Sequence, residues 1–207
     1  MRSFGCLVGV AAVFLFAATP ALAQSSGIAG VVRDTSGAVL PGVTVEAASP
    51  ALIEGTRSLT WREFFHTRNR LASSLAALGV AQGEHAVIYA HNSAENLIAS
   101  AAIRALGAIA VPLNHRLTAE EVAYILDNAD ATTLFVGDAF LPMVERVRDA
   151  AGVRRFITLG AERRPWAETY DDLLARGSRE APPPPAAVGG SMVYTAEIGR
   201  ASCRERV

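Results

Sequence analysis

The chain has 207 residues, 51% of them hydrophobic, enough for one medium domain or two small ones. Its formal net charge of −1 carries no polyelectrolyte signal, so no nucleic-acid partner is implied. All 19 basic residues are arginine, which excludes Schiff-base chemistry, a lysine general base and a phosphate-loop lysine.

Residues 1–23, "MRSFGCLVGVAAVFLFAATPALA", place Arg2 before an apolar run that ends in the small-x-small triplet Ala21-Leu22-Ala23. That is the layout of a secretory signal peptide, and it predicts export to the periplasm or beyond. The run is short for a membrane span and Pro20 breaks it, so no transmembrane segment is expected after cleavage. Cys6 lies ahead of the apolar run and Cys203 near the far end. The body between them has no thiol for a disulfide framework or a thiolate zinc site.

Residues 24–50 read as a short β segment. Ile28–Val32 and Val43–Ala47 are apolar runs, Asp34–Gly37 is a turn, and Pro41-Gly42 suits a tight one. This piece resembles the start of the carboxypeptidase regulatory-like β-sandwich found at the front of bacterial outer-membrane receptors. It covers about two strands of such a sandwich, too few to bury a core alone.

From Leu59 helix and strand alternate. Thr60 and Glu63 have capping-box spacing, and Trp61, Phe64, Leu71, Leu75 and Leu78 recur at helical spacing before Gly79. "HAVIYA" at 85–90 is a strand, and Ser93 caps a helix that runs to Leu106 and stops at Gly107. "AIAVPL" is a buried strand, and Thr118 with Glu121 forms a second capping box for "AEEVAYILDNA". "TTLFVG", "RRFITLG" and "SMVYT" are further strands, with helices expected over 138–150 and 166–176. Pro182–Pro185 reads as a stiff connector. The alternation predicts an α/β fold with a parallel sheet and crossover helices.

Several phrases, in order, carry a second resemblance: "SLTWREFFHTRNRLASSLAALGV", "HNSAENLIASAAIRALGAIAVPLNHRLTAEEVAYILDNADATTLFV" and "GGSMVYT". Residues 51–195 resemble the N-terminal part of the AMP-forming acyl-CoA synthetases. The expected fold is a partial parallel-sheet N-terminal subdomain of these adenylate-forming enzymes. For the intact family the resemblance implies ATP, Mg²⁺, coenzyme A and a small-molecule carboxylic acid. The acid attacks the α-phosphate to give an acyl-adenylate, and the thiol then displaces AMP.

In that family a strand like "MVYT" leads into a Ser/Thr/Gly phosphate loop with a lysine. Here Tyr194 and Thr195 match the first two positions, and Ala196 departs from the pattern. The stretch "AEIGRASCRERV" has neither the hydroxyl–glycine order nor a lysine. Tyr194 and Thr195 are therefore the only positions assigned to the nucleotide loop. No catalytic residue is assigned, and the 207-residue chain is expected to bind no cofactor and to be inactive.

Residues 196–207 read as a non-native tail: Glu197–Val207 resembles the conceptual translation of a sequencing-adaptor oligonucleotide. "SPALIEGTRS" at 49–58 suits both the receptor-like and the ligase-like piece. Together with an export leader on a chain whose implied substrates are cytosolic, this suggests a chimera of two gene fragments.

His66, His85, His91 and His115 lack metal-ligand spacing such as HxxxH; they are expected as surface or loop residues, with no metal. His91-Asn92-Ser93 and Asn114-His115-Arg116 each follow a strand and are candidates to face a ligand cleft. The alternative is turn and capping work, with Arg116 paired to a carboxylate such as Glu120. Two function classes stand: an inactive ligase fragment, or a non-catalytic exported module.

Overall fold

The computed structural model describes residues 46–149 and 152–194. The leader, most of the 24–50 segment, Thr195 and the 196–207 tail lie outside the described residues.

The described part opens with a hairpin. Strand β1 (Pro50–Glu54) pairs antiparallel with β2 (Arg57–Thr60), so Ile53 faces Ser58 and Glu54 faces Arg57. Gly55 makes the turn at φ +58°, a conformation in which a side chain would be strained. Backbone bonds join the hairpin to the next element: the Trp61 and Arg62 amides donate to the Ser49 and Ala47 carbonyls, both at 3.0 Å.

Helix α1 (Trp61–Ala77) begins where the sequence places it. The Thr60 hydroxyl accepts from the Glu63 amide at 3.3 Å, and the Thr60 amide donates to Glu63 Oε2 at 2.8 Å. These reciprocal bonds satisfy amides that a helix start leaves without intrahelical partners. Thr118 and Glu121 repeat the box at α3 (Ala119–Asn128), and the Ser93 hydroxyl caps α2 (Ala94–Ala105) by accepting from the Asn96 amide.

A five-stranded sheet forms the body, entirely parallel, in the order β4 (Ile109–Pro112), β3 (His85–Tyr89), β5 (Ala131–Val136), β6 (Arg155–Thr158), β7 (Glu168–Thr169). Alternation along the strands sends side chains to two cores. Ala86, Ile88, Phe135 and Ile157 meet Leu71 and Leu75 of α1, Ile98 and Ile103 of α2, and Leu173 of α5 (Tyr170–Arg176). Val87, Tyr89, Leu134 and Val136 meet Val122 and Leu126 of α3, and Leu141 and Val144 of α4 (Leu141–Val147). Each such fully buried aliphatic side chain contributes about 1.5–3 kcal/mol. The result is a three-layer α/β arrangement, as the alternation predicts.

Three elements depart from the sequence expectation. The segment expected as a helix over 138–150 is a 3₁₀ turn, Asp138–Phe140, followed by α4, with Pro142 in its first turn. Proline lacks the amide that a helix continuing through that point would need. The helix expected over 166–176 starts only at Tyr170, because Glu168 and Thr169 pair with Ile157 and Thr158, and the Thr169 hydroxyl caps α5. "SMVYT" is not a strand of the sheet: one parallel bridge, Ser191 to Ala110, is all the pairing it makes among the described residues. No helix among the described residues is long and apolar enough to cross a membrane.

Candidate functional site

Strand β3 is first in sequence within the sheet; β4 lies to one side of it and β5 to the other. The crossovers therefore reverse direction between β3 and β5, and ligands of open α/β sheets gather outside the carboxyl ends at such a point. A cleft of about 250 Å³ lies there, between Ala90–Ser93, Gly137–Phe140 and the Leu159-Gly160 turn. Asp138 closes one side of it. Its Oδ2 accepts from the Ala161 and Glu162 amides at 2.9 and 3.3 Å, and its carboxylate lies over Gly160, where a methyl would collide with it.

The two loops singled out in the sequence come together at this edge. The His91 and His115 rings stand 5.1 Å apart, and His91 continues a row of rings through Phe140 at 4.8 Å to the buried Tyr89. Both histidines are exposed. Each backbone is held: the Asn96 side-chain amide donates to the His91 carbonyl, and the Arg116 amide donates to Asn114 Oδ1. The expected pairing of Arg116 with Glu120 is not among the ion pairs of the described residues. Glu120 and Glu121 sit in the first turn of α3, and Glu121 serves the capping box rather than acid–base work.

Tyr194 arrives at the same end of the sheet by another route. The Ala110 amide donates to the Gly190 carbonyl and the Met192 amide to the Ala110 carbonyl, so the chain runs beside β4 in its direction. The Tyr194 hydroxyl then donates to Asn128 Oδ1 at 2.7 Å, and burial raises the phenol above its usual range. Thr195, the other nucleotide-loop position, lies outside the described residues.

Beside Tyr194 is a second cleft, of about 240 Å³, between Pro112–Leu117 and the Glu121, Tyr124 and Ile125 face of α3. None of its lining side chains is cationic, and its one carboxylate, Glu121, is committed to the capping box. A polyphosphate needs positive charge or converging amides, and Mg²⁺ needs several free oxygens. The described residues around Tyr194 fit neither group. Among the described residues no group of three or more His, Cys, Asp or Glu side chains is placed to hold a metal ion.

Residues 43–195, well over half of the chain, match the AMP-binding enzyme family. The chain belongs to that family. It is 30% identical over 142 residues to the fatty acid–[acyl-carrier-protein] ligase ScoC of Streptomyces coeruleorubidus, covering 69% of this chain and 27% of that protein. It is 30% identical over 137 residues to a long-chain-fatty-acid–CoA ligase of Thermus thermophilus, covering 66% and 25% respectively. Among solved structures, the anthranilate CoA ligase AuaEII in complex with anthranoyl-AMP superposes with a TM-score of 0.63 at 29% identity, over 65% of this chain and 26% of that one. A putative long-chain-fatty-acid CoA ligase from Rhodopseudomonas palustris gives 0.61 at 30% identity, over 68% and 36%. The chain thus spans about a quarter to a third of the length of these relatives. Its parallel sheet corresponds to the N-terminal subdomain of adenylate-forming enzymes.

Proposed function

We propose that residues 43–195 are the opening part of an ATP-dependent ligase that activates a carboxylic acid as its adenylate and passes the acyl group to a thiol. The fatty-acid and aryl-acid ligases among the relatives support this substrate class. The observation that carries the reading is the course of residues 190–194 alongside β4, which delivers Tyr194 to the carboxyl edge of the sheet.

The polypeptide of residues 1–207 does not itself perform that chemistry. Stabilising charge that develops on a phosphoryl group takes pre-arranged donors. "AEIGRASCRERV" offers neither the repeated glycines nor the hydroxyl run, and no lysine exists to assist. The experiment is to recover the genomic sequence downstream of codon 195 and assay the full product for ATP–pyrophosphate exchange that depends on an added fatty or aryl acid. Acid-dependent exchange supports the reading; a product with none across the panel overturns it.

A second reading rests on the leader-like residues 1–23: an exported, non-catalytic module that carries the α/β part as a passenger. Cleavage after Ala23 with recovery of soluble protein from the periplasm supports it. Retention of uncleaved chain in the cytoplasm contradicts it.

A further inference from the structure

Strand register puts two imidazoles side by side. Ile88 of β3 pairs with Pro112 of β4, and His91 and His115 each lie three residues beyond those partners. Neighbouring parallel strands run about 4.8 Å apart, so equal offsets bring the two side chains to the same height. The flanking backbone is fixed on both sides, by the Ser93 cap and the Asn96–His91 bond in one loop and by the Asn114–Arg116 turn and the Thr118 capping box in the other.

From this geometry we propose that His91 and His115 form a two-imidazole site for a first-row divalent cation of the imidazole-preferring kind, Zn²⁺, Cu²⁺ or Ni²⁺. A Zn–N bond of about 2.0–2.1 Å plus roughly 1.1 Å from nitrogen to ring centre puts each centroid about 3.2 Å from the metal. Two such ligands at a tetrahedral angle have centroids about 5.2 Å apart. The observed separation is 5.1 Å, with the ring planes inclined by 55°. Both rings are exposed, so the remaining coordination positions open to solvent. Asp138, across the cleft, gives its Oδ2 to the Ala161 and Glu162 amides and keeps its Oδ1 buried, which leaves the imidazoles as the exposed ligands. Two imidazole nitrogens as the exposed donors select against Mg²⁺, so the site is distinct from any magnesium that accompanies a nucleotide.

The test is calorimetric titration of Zn²⁺ into the full chain, with Cys6 and Cys203 replaced by serine so that thiolates do not compete. One saturable site is expected, unaffected by millimolar Mg²⁺ and weakened at least tenfold in His91→Ala and in His115→Ala. His66→Ala leaves it unchanged. Electron paramagnetic resonance of the Cu²⁺-loaded chain with its histidines intact is the second readout, and coupling to two imidazole nitrogens is expected. Absence of saturable binding, full affinity in the His91→Ala/His115→Ala double variant, or coupling to fewer than two nitrogens overturns the proposal.

Discussion

Arg155, the first residue of β6, donates through Nη1 to Glu84 Oε2 at 3.0 Å, across the amino end of the sheet. Its Nε and Nη2 donate to the Leu78 and Gly79 carbonyls at 2.7 and 2.6 Å. The guanidinium thus satisfies carbonyls that the end of α1 leaves open, while it pairs with a carboxylate that is only 20% exposed. Arg155→Ala leaves these acceptors without their donor and is expected to cost roughly 2–4 kcal/mol in urea unfolding. Arg155→Lys recovers little of it, because an ammonium cannot serve three acceptors in one plane. A loss below about 0.5 kcal/mol for Arg155→Ala contradicts this assignment.

Glu84 gives the same cluster a pH dependence. Burial alone would raise its carboxyl, but hydrogen bonds from Thr132 and the Ala81 amide, with Arg155 and Arg154 nearby, hold it below the usual range. A carboxyl lowered in the folded state stabilises fully above its unfolded value of about 4.3, and that contribution is lost as pH falls through the folded value. Acid unfolding of Glu84→Gln should accordingly show a shallower loss of stability below pH ~4 than the unsubstituted chain. Parallel acid profiles in the two proteins contradict it.

The Arg57–Glu95 ion pair latches the hairpin to α2 close to Tyr170, whose hydroxyl is buried with no hydrogen-bond partner among the described residues. Burial is the main cause that pushes the Tyr170 phenol far above its usual range. Removing an unpaired buried hydroxyl costs nothing, so Tyr170→Phe should be neutral or stabilising by up to about 1 kcal/mol. Arg57→Ala, by contrast, loses a half-exposed ion pair worth roughly 0.2–1 kcal/mol. Thermal unfolding of both variants checks the ordering, and a Tyr170→Phe variant less stable than Arg57→Ala contradicts it.

Gly177 follows α5 and lies against the Arg70 backbone of α1, where a methyl would run into the carbonyl. Gly177→Ala therefore forces the two helices apart. An overpacking loss of about 1–3 kcal/mol is expected, against a few tenths for Gly152→Ala, whose methyl meets open space. Equal melting temperatures for the two variants would show that α5 yields freely.

Strands β3 to β6, their crossovers and the helix caps at Thr60, Ser93 and Thr118 were legible in the sequence, because capping and buried β-branched runs are local signals. Strand β7 and the Thr169 cap of α5 were hidden in a stretch that reads as helix from 166. The hairpin at Pro50–Thr60 was not: its Gly55 turn sits in a stretch suited to two different families, and only packing on α1 decides its conformation. The His91–His115 approach was likewise hidden, since it depends on strand register rather than on spacing along the chain. Its one trace in the sequence is that each histidine follows a short apolar strand at a similar offset.

The hairpin also bears on the proposed composite origin. Ala47 and Ser49 already bond to the start of α1, and the family match begins at residue 43. The stretch proposed as the junction, residues 49–58, thus lies in the hairpin and inside the family match. If the template switches within residues 49–58 as proposed, amplification and sequencing across codons 45–65 and 190–207 should return genomic DNA that departs from the present sequence upstream of codon 58 and after codon 195. An uninterrupted genomic copy of all 207 codons contradicts it.

Binding of ATP to the purified 207-residue chain tests the account most directly. Calorimetry with Mg²⁺ present should show no saturable association up to millimolar ATP, because the residues around Tyr194 offer a polyphosphate neither cations nor converging amides. Tight, stoichiometric binding that Tyr194→Ala or removal of residues 195–207 abolishes would contradict it.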